Sequence, residues 1–243
     1  MSEIKHIPSP HFDARKNGVK PVFLIMHYTV LSAPETVHAF TGRGVSDATG
    51  RVSAHYMIDE QGGVTQFVDE AKRAWHAGVS CWDGNNDINS ASIGIELVNP
   101  GHERGYRAFP ASQMMALVWL AQDIIDRHKI SAHHVLGHSD IAPERKKDPG
   151  ELFDWRMLAS KGIGLWPKPS EEHYERATRR LKDEGFIREK LGAYGYDGAK
   201  PLDVLISAFQ RHYVPERFRT PVETGRVDRE TLARLLALLD QKS

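Results

Sequence analysis

At 243 residues the chain is long for a single compact unit and comfortable for one domain plus a small module. Its 32 Lys and Arg balance 32 Asp and Glu, so it lacks the general basic field of nucleic-acid binders, and nucleic acid is not an expected partner. One cysteine, Cys81, excludes an internal disulfide and any multi-cysteine metal site; a bound metal would need histidine and carboxylate ligands, and 13 histidines are available.

The N-terminal stretch MSEIKHIPSPHFDARKNG is polar, without the apolar core of a secretory signal, and no later run is long enough to span a bilayer. A soluble, unprocessed chain with no membrane insertion is therefore expected. Val22 to Met26 is a short continuous apolar run that suits a strand covered on both faces, with His27 emerging at its end. Ala54–Asp59 and Val64–Asp69 flank Glu60-Gln61-Gly62-Gly63 and read as a hairpin. Ile93, Ile95 and Leu97 make one apolar strand face, and Glu96 points the other way. From Ala111 to Lys129, apolar residues at three- and four-residue steps after Pro110 predict an amphipathic helix, with Arg127, His128 and Lys129 suiting its C-terminal dipole.

The segment Gly137 to Gly150, GHSDIAPERKKDPG, places His138, Lys146 and Asp148 close together. Pro143 and Pro149 argue against helix here, and in an extended chain Lys146 and Asp148 face the same side. A nitrogen ligand, an oxygen ligand and a fixed cation then converge, as in a zinc hydrolase. Pro167 to Glu172 is a polar, proline-bearing joint, which divides the chain into a mixed α/β unit, residues 1–167, and a helical unit, residues 168–243. Arg176–Lys190, Leu202–Tyr213 and Asp228–Leu239 carry helical spacing, the last with Asp228 as N-cap, and predict a small three-helix bundle. The expected architecture is α/β: a mixed central sheet flanked by helices, with this bundle as a second domain.

Taken singly, each candidate has an ordinary explanation. His27 or His138 could be a hydrogen-bonded structural histidine, Asp148 a turn cap, Lys146 a solvated charge, and Glu96 half of a buried ion pair. The order of motifs carries more: HYT at His27, SAHYMID at Ser53, RAWHAG at Arg73, SIGIE at Ser92, and GHSDIAPERKKDPG. Together they resemble the zinc-dependent N-acetylmuramoyl-L-alanine amidases of the AmpD type, within the superfamily that includes peptidoglycan recognition proteins, over roughly residues 20 to 166. The resemblance implies Zn2+ held by His27, His138 and Asp148, Glu96 as the catalytic acid/base, and Lys146 as the group that steadies the transition state. His76, Asn89 and Trp75 are candidates for lining the substrate cleft, with structural roles as the alternative. Asp140 reads as a turn cap, or as support for a ligand imidazole. His55 is assigned to the sheet; His133, His134 and Cys81 receive no role.

Two neutral imidazoles and one carboxylate leave a bound zinc a net positive charge, enough to bring the pKa of a coordinated water from about 16 towards about 7. The implied reaction cleaves the amide between N-acetylmuramic acid and L-alanine in peptidoglycan or muropeptides. Two alternatives remain: a peptidoglycan binder that does not cut, and a zinc peptidase acting on ordinary peptides. AFQRHY at Ala208 to Tyr213 and DRETLARLLALL at Asp228 to Leu239 resemble a peptidoglycan-binding module, the alternative being a bundle that packs on the catalytic domain or mediates dimerisation. The absence of a signal suggests cytoplasm and the wall-binding tail suggests the envelope, and both locations stay open.

Overall fold

The structure, a computed structural model, describes residues 3–42, 51–219 and 224–242. Short strands β1 (Lys5–His6) and β2 (Phe12–Ala14) precede β3 (Phe23–Tyr28), and α1 (Ala33–Thr41) follows it. The predicted hairpin forms from β4 (Tyr56–Ile58) and β5 (Val64–Gln66), and β6 (Lys72–Ala74) comes next. The turn α2 (Ile88–Ala91) leads into β7 (Ser92–Leu97), after which α3 (Ala111–His128) spans the predicted amphipathic helix. Strand β8 (Val135–Gly137) runs directly into α4 (His138–Ile141), and α5 (Trp155–Ser160) ends the α/β portion. The remainder is α6 (Glu171–Arg180), α7 (Glu184–Tyr194), α8 (Leu202–Tyr213) and α9 (Arg229–Lys242). Among the described residues, no helix is long and apolar enough to cross a membrane.

Six described strands form one mixed sheet in the order β1-β5-β4-β7-β3-β8, and β2 pairs antiparallel with β6 beside it. At its centre β4, β7, β3 and β8 run parallel. Parallel strands need cover on both faces, and the apolar runs of β3 and β7 supply two buried surfaces. Leu24, Met26, Ile93, Ile95 and Leu97 pack with α3 residues Leu117, Ala121 and Ile124. On the other face Phe23, Ile25 and Leu136 share a cluster with Trp82, Ile187, Leu191, Phe209, Leu232 and Leu236. The C-terminal helices thus cover the sheet face that α3 leaves open. Gly195, with φ +141°, fits this seam because a Cβ there would lie 2.4 Å from the Trp82 ring.

Three local expectations give way. Residues Arg176–Lys190 are not one helix: the chain breaks after Arg180, and the Asp183 side chain accepts the Phe186 N–H at 3.0 Å to start α7. The bundle therefore has four α-helices among its described residues. The Gly137–Gly150 segment is not extended throughout, because His138–Ile141 winds into one helical turn closed by Ala142 N–H to His138 C=O at 3.0 Å. Its prolines restrict only their own neighbourhoods and leave residues 138–141 free to coil. Helix α1 was not expected, although Ser32 and Glu35 carry the capping-box signal: Glu35 Oε2 accepts from the Ser32 N–H at 2.9 Å and from its hydroxyl at 2.6 Å.

Candidate active site

Strand periodicity builds the centre. His27 follows Phe23 and Ile25 on one face of β3, and its parallel partner in register on β7 is Glu96, which lies on that same face. His138 opens α4 just beyond the end of β8, and Asp148 returns ten residues later. His27 Nδ1 lies 2.9 Å from His138 Nδ1 and 3.0 Å from Asp148 Oδ2, and His138 Nδ1 is 2.9 Å from that oxygen. All three side chains are buried, with residue exposures of 1%, 3% and 6%. Among the described residues these groups can hold a metal ion. A second cluster, Asp83 with His133 and His134, already has the Lys242 ammonium 2.9 Å from Asp83 Oδ1.

The outer partners of the two imidazoles decide which nitrogens face inward. His138 Nε2 is 3.0 Å from the Ala77 carbonyl, which only accepts, so Nε2 carries the proton and Nδ1 a lone pair. The Ser92 hydroxyl donates to Ile88 C=O at 2.6 Å and therefore accepts from His76 Nε2–H at 3.2 Å. His76 Nδ1 is then an acceptor for His27 Nε2–H at 3.0 Å, which turns a second lone pair toward Asp148. Three acceptors thus converge with their proton donors on the far side, an arrangement that calls for a cation. Burial, and next His138, push the His27 pKa down to about 4, and burial together with His27 holds His76 well below the ordinary range. Burial alone would raise Asp148, but the His138 and His27 nitrogens outweigh it and hold that carboxyl far below the usual range.

A cavity of about 440 Å³ opens beside this centre, bordered by Glu96, His138, Lys146 and Asp148, and further out by Trp75, Tyr28, His102 and Arg145. Glu96 Oε2 is buried and has no hydrogen-bond partner among the described residues. Burial, with Asp148 adding and Lys146 opposing, pushes the Glu96 pKa up to about 8. Lys146 and Asp148 do share this cavity, although the chain reaches them through a turn in which Arg145 and Lys146 N–H groups both bond Ala142 C=O at 3.0 Å.

The cleft candidates separate. Trp75 borders the cavity and donates from Nε1 to Asp13 at 2.7 Å. His76 touches the cavity edge, but both its ring nitrogens are engaged behind His27. Asn89 is buried, and its Oδ1 accepts the His76 and Ala77 N–H groups at 3.1 and 2.8 Å, so it braces backbone and does not border the cavity. Gly94 makes room for His76: a Cβ there would meet the His76 ring at 2.5 Å. His55 stands one residue before β4, its backbone N–H donating to Gly94 C=O at 3.2 Å and its Nδ1 accepting the Gly94 N–H at 3.0 Å. Sequence reasoning missed Ser92, whose only signal was its place at the head of SIGIE, and the pair Tyr28 and His102, one ending β3 and the other in the loop after β7, whose Tyr28 hydroxyl and His102 Nδ1 the fold brings to 2.9 Å.

The N-acetylmuramoyl-L-alanine amidase family (Amidase_2) matches residues 17–151. The chain is 36% identical over 238 residues to the N-acetylmuramoyl-L-alanine amidase AmiD of Escherichia coli, covering 90% of this chain and 82% of that protein. It is 39% identical over 168 residues to the 1,6-anhydro-N-acetylmuramyl-L-alanine amidase AmpD of Enterobacter cloacae, covering 64% of this chain and 88% of that one. The crystal structure of AmpDh3 from Pseudomonas aeruginosa in complex with anhydromuramic pentapeptide superposes with a TM-score of 0.81 at 33% identity, covering 93% and 94% of the two chains. From motif order, site geometry and these matches together, the chain belongs to the N-acetylmuramoyl-L-alanine amidases of the AmpD type.

Proposed function

We propose that this protein hydrolyses the amide joining N-acetylmuramic acid to L-alanine in muropeptides, with zinc held by His27 Nδ1, His138 Nδ1 and a carboxylate oxygen of Asp148. The observation that carries this reading is the convergence of three buried acceptor atoms within 3.0 Å of one another. Two imidazoles and one carboxylate make a donor set suited to zinc with a position left open, and when bound the ion supplies Lewis acidity toward water and the scissile carbonyl. Glu96, which borders the cavity with Oε2 unpartnered among the described residues, accepts a proton from the attacking water and returns it to the departing L-alanine nitrogen. The Lys146 ammonium offsets the negative charge that develops on the carbonyl oxygen; removing such a donor typically costs about 3 to 4 kcal/mol. Trp75, Tyr28 and His102 line the part of the cavity open to sugar and peptide, while His76 and Asn89 support the centre from behind.

Residues 1–167 are read as the catalytic unit and 168–243 as a helical module that, by its resemblance, holds peptidoglycan and raises local polymer concentration. The family match ending at residue 151 supports this division.

Incubation of purified protein with anhydro-muropeptide is expected to release stem peptide, to stop with chelator and to resume with zinc. Glu96→Ala should retain zinc and lose turnover by about 10²-fold or more, whereas Asp148→Ala should lose both. Unchanged muropeptide in the metal-replete sample would identify a binder, and cleavage of an unmodified peptide at equal rate would identify a general peptidase. Full-length Asp148→Ala protein should still sediment with sacculi if the helical module holds wall polymer.

A further inference from the structure

Asp140 is 1% exposed and stands two residues after a metal-ligand candidate. Its Oδ2 accepts the Gly137 N–H at 2.8 Å and His212 Nδ1–H at 2.7 Å, and its Oδ1 accepts the Tyr196 hydroxyl at 2.7 Å. The first bond caps α4. The other two come from the C-terminal helical unit, from the chain just after α7 and from α8. The His212 ring is held flat, with centroids 3.8 Å from Trp155 at 21° and 3.7 Å from Tyr213 at 9°. One residue earlier on α8, Arg211 Nε donates to Glu151 Oε2 at 3.3 Å, and Glu151 Oε2 is 3.1 Å from His102 Nε2. Helix α8 therefore grips the 137–151 segment near both ends, and that segment supplies His138, Lys146 and Asp148.

We infer that the C-terminal helical unit is a positioning element of the metal centre: His212 on α8 and Tyr196 just after α7, acting through Asp140, set the placement of His138, so metal affinity depends on the C-terminal helices. This rests on the metal reading proposed above. A single helical turn does not hold its own geometry, because almost all its backbone groups lack intrahelical partners. Asp140 is the group that pins α4 at Gly137, and a buried carboxylate stripped of a donor must move or recruit water. Since a metal site tolerates ligand displacements of only about 0.2 Å, a small rotation of Asp140 carried through Gly137 to His138 reaches the centre. In the segment AFQRHY, which resembles part of a peptidoglycan-binding module, Gln210, Arg211, His212 and Tyr213 are all buried.

The test uses the full chain. His212→Phe keeps a ring between Trp155 and Tyr213 and removes the donor; His212→Asn keeps a donor near the Nδ1 position; Tyr196→Phe deletes one hydroxyl. Zinc affinity is measured by titration against a competing chelator, and centre geometry by the visible spectrum of the cobalt-loaded protein. His212→Phe is expected to weaken zinc binding by about 10- to 100-fold and to alter the cobalt bands, Tyr196→Phe to do so less, and His212→Asn to recover most of the loss. Lowered melting temperature with unchanged zinc affinity and unchanged cobalt bands would overturn the inference and leave α8 a packing element. If His212→Phe fails to fold, unchanged affinity in Tyr196→Phe overturns it equally. Wild-type protein that takes up no zinc would sink the metal reading itself, an outcome distinct from insensitive variants.

Discussion

Glu96 carries a proton whose energetics stability can read. Its ordinary pKa of 4.5 rises to about 8 in the fold, chiefly through burial. Between those values the folded state holds the proton more tightly than the unfolded chain, so in metal-stripped protein this carboxyl removes stability as pH rises from 4.5 through about 8. Glu96→Gln is isosteric and cannot ionise. Stripped of metal, it should melt above stripped wild type at about pH 9 and alongside it at about pH 4. Coincident melting at the higher pH would mean the carboxyl is well solvated. Ser92 offers a second measurement, because its hydroxyl begins the hydrogen-bond chain through His76 that turns His27 Nδ1 inward. Ser92→Ala is expected to weaken zinc binding about tenfold or more, and Ser92→Thr, which keeps the hydroxyl, to weaken it less.

Within the elements, β7 serves two masters. Its Ile93, Ile95 and Leu97 face α3, while Ser92, Gly94 and Glu96 face the metal centre, and each of the three does something different there. The glycine between the serine and the glutamate is where the His76 ring lies. Gly94→Ala places a methyl 2.5 Å from that ring, so His76 must leave its bond to His27. Calorimetry should register about 1 to 3 kcal/mol of lost stability from the overpacking, together with weaker zinc uptake; an unchanged melting temperature would mean the ring moves freely. The short turn α4 is the opposite case, an element whose sequence does not specify its own conformation and which depends on Asp140 and on helices from elsewhere.

At the scale of the molecule, the C-terminal helices complete a core and do not hang from the Pro167–Glu172 joint. Phe23, Ile25, Trp82 and Leu136 lie under Ile187, Leu191, Phe209 and Leu236. A chain stopped after residue 167 therefore exposes a sheet face built for burial, and is expected to aggregate or melt without cooperativity, whereas the full chain should show one calorimetric transition. A soluble 1–167 fragment with a sharp transition would contradict this. Much of the architecture could be read in advance. The apolar runs at Val22–Met26 and Ile93–Leu97, the hairpin around Gly62-Gly63 and the helix after Pro110 are set by period, and period is a property of a few consecutive residues. The family resemblance carried by the five ordered motifs likewise pointed to His27, Glu96, His138, Lys146 and Asp148. What the sequence left open was decided across distance. His27 and His138 stand 111 residues apart, and which of their nitrogens turn inward depends on Ser92, His76 and Ala77. Asn89 could be read as lining the cleft or as structural, and its Oδ1 braces backbone; the segment AFQRHY could belong to a wall-binding module or to a packed bundle, and its His212 holds Asp140. An amide or an imidazole bonds equally well to a ligand or to its own protein. Local patterning selects strands, helices and chemical types; only the folded chain assigns each polar group its partner.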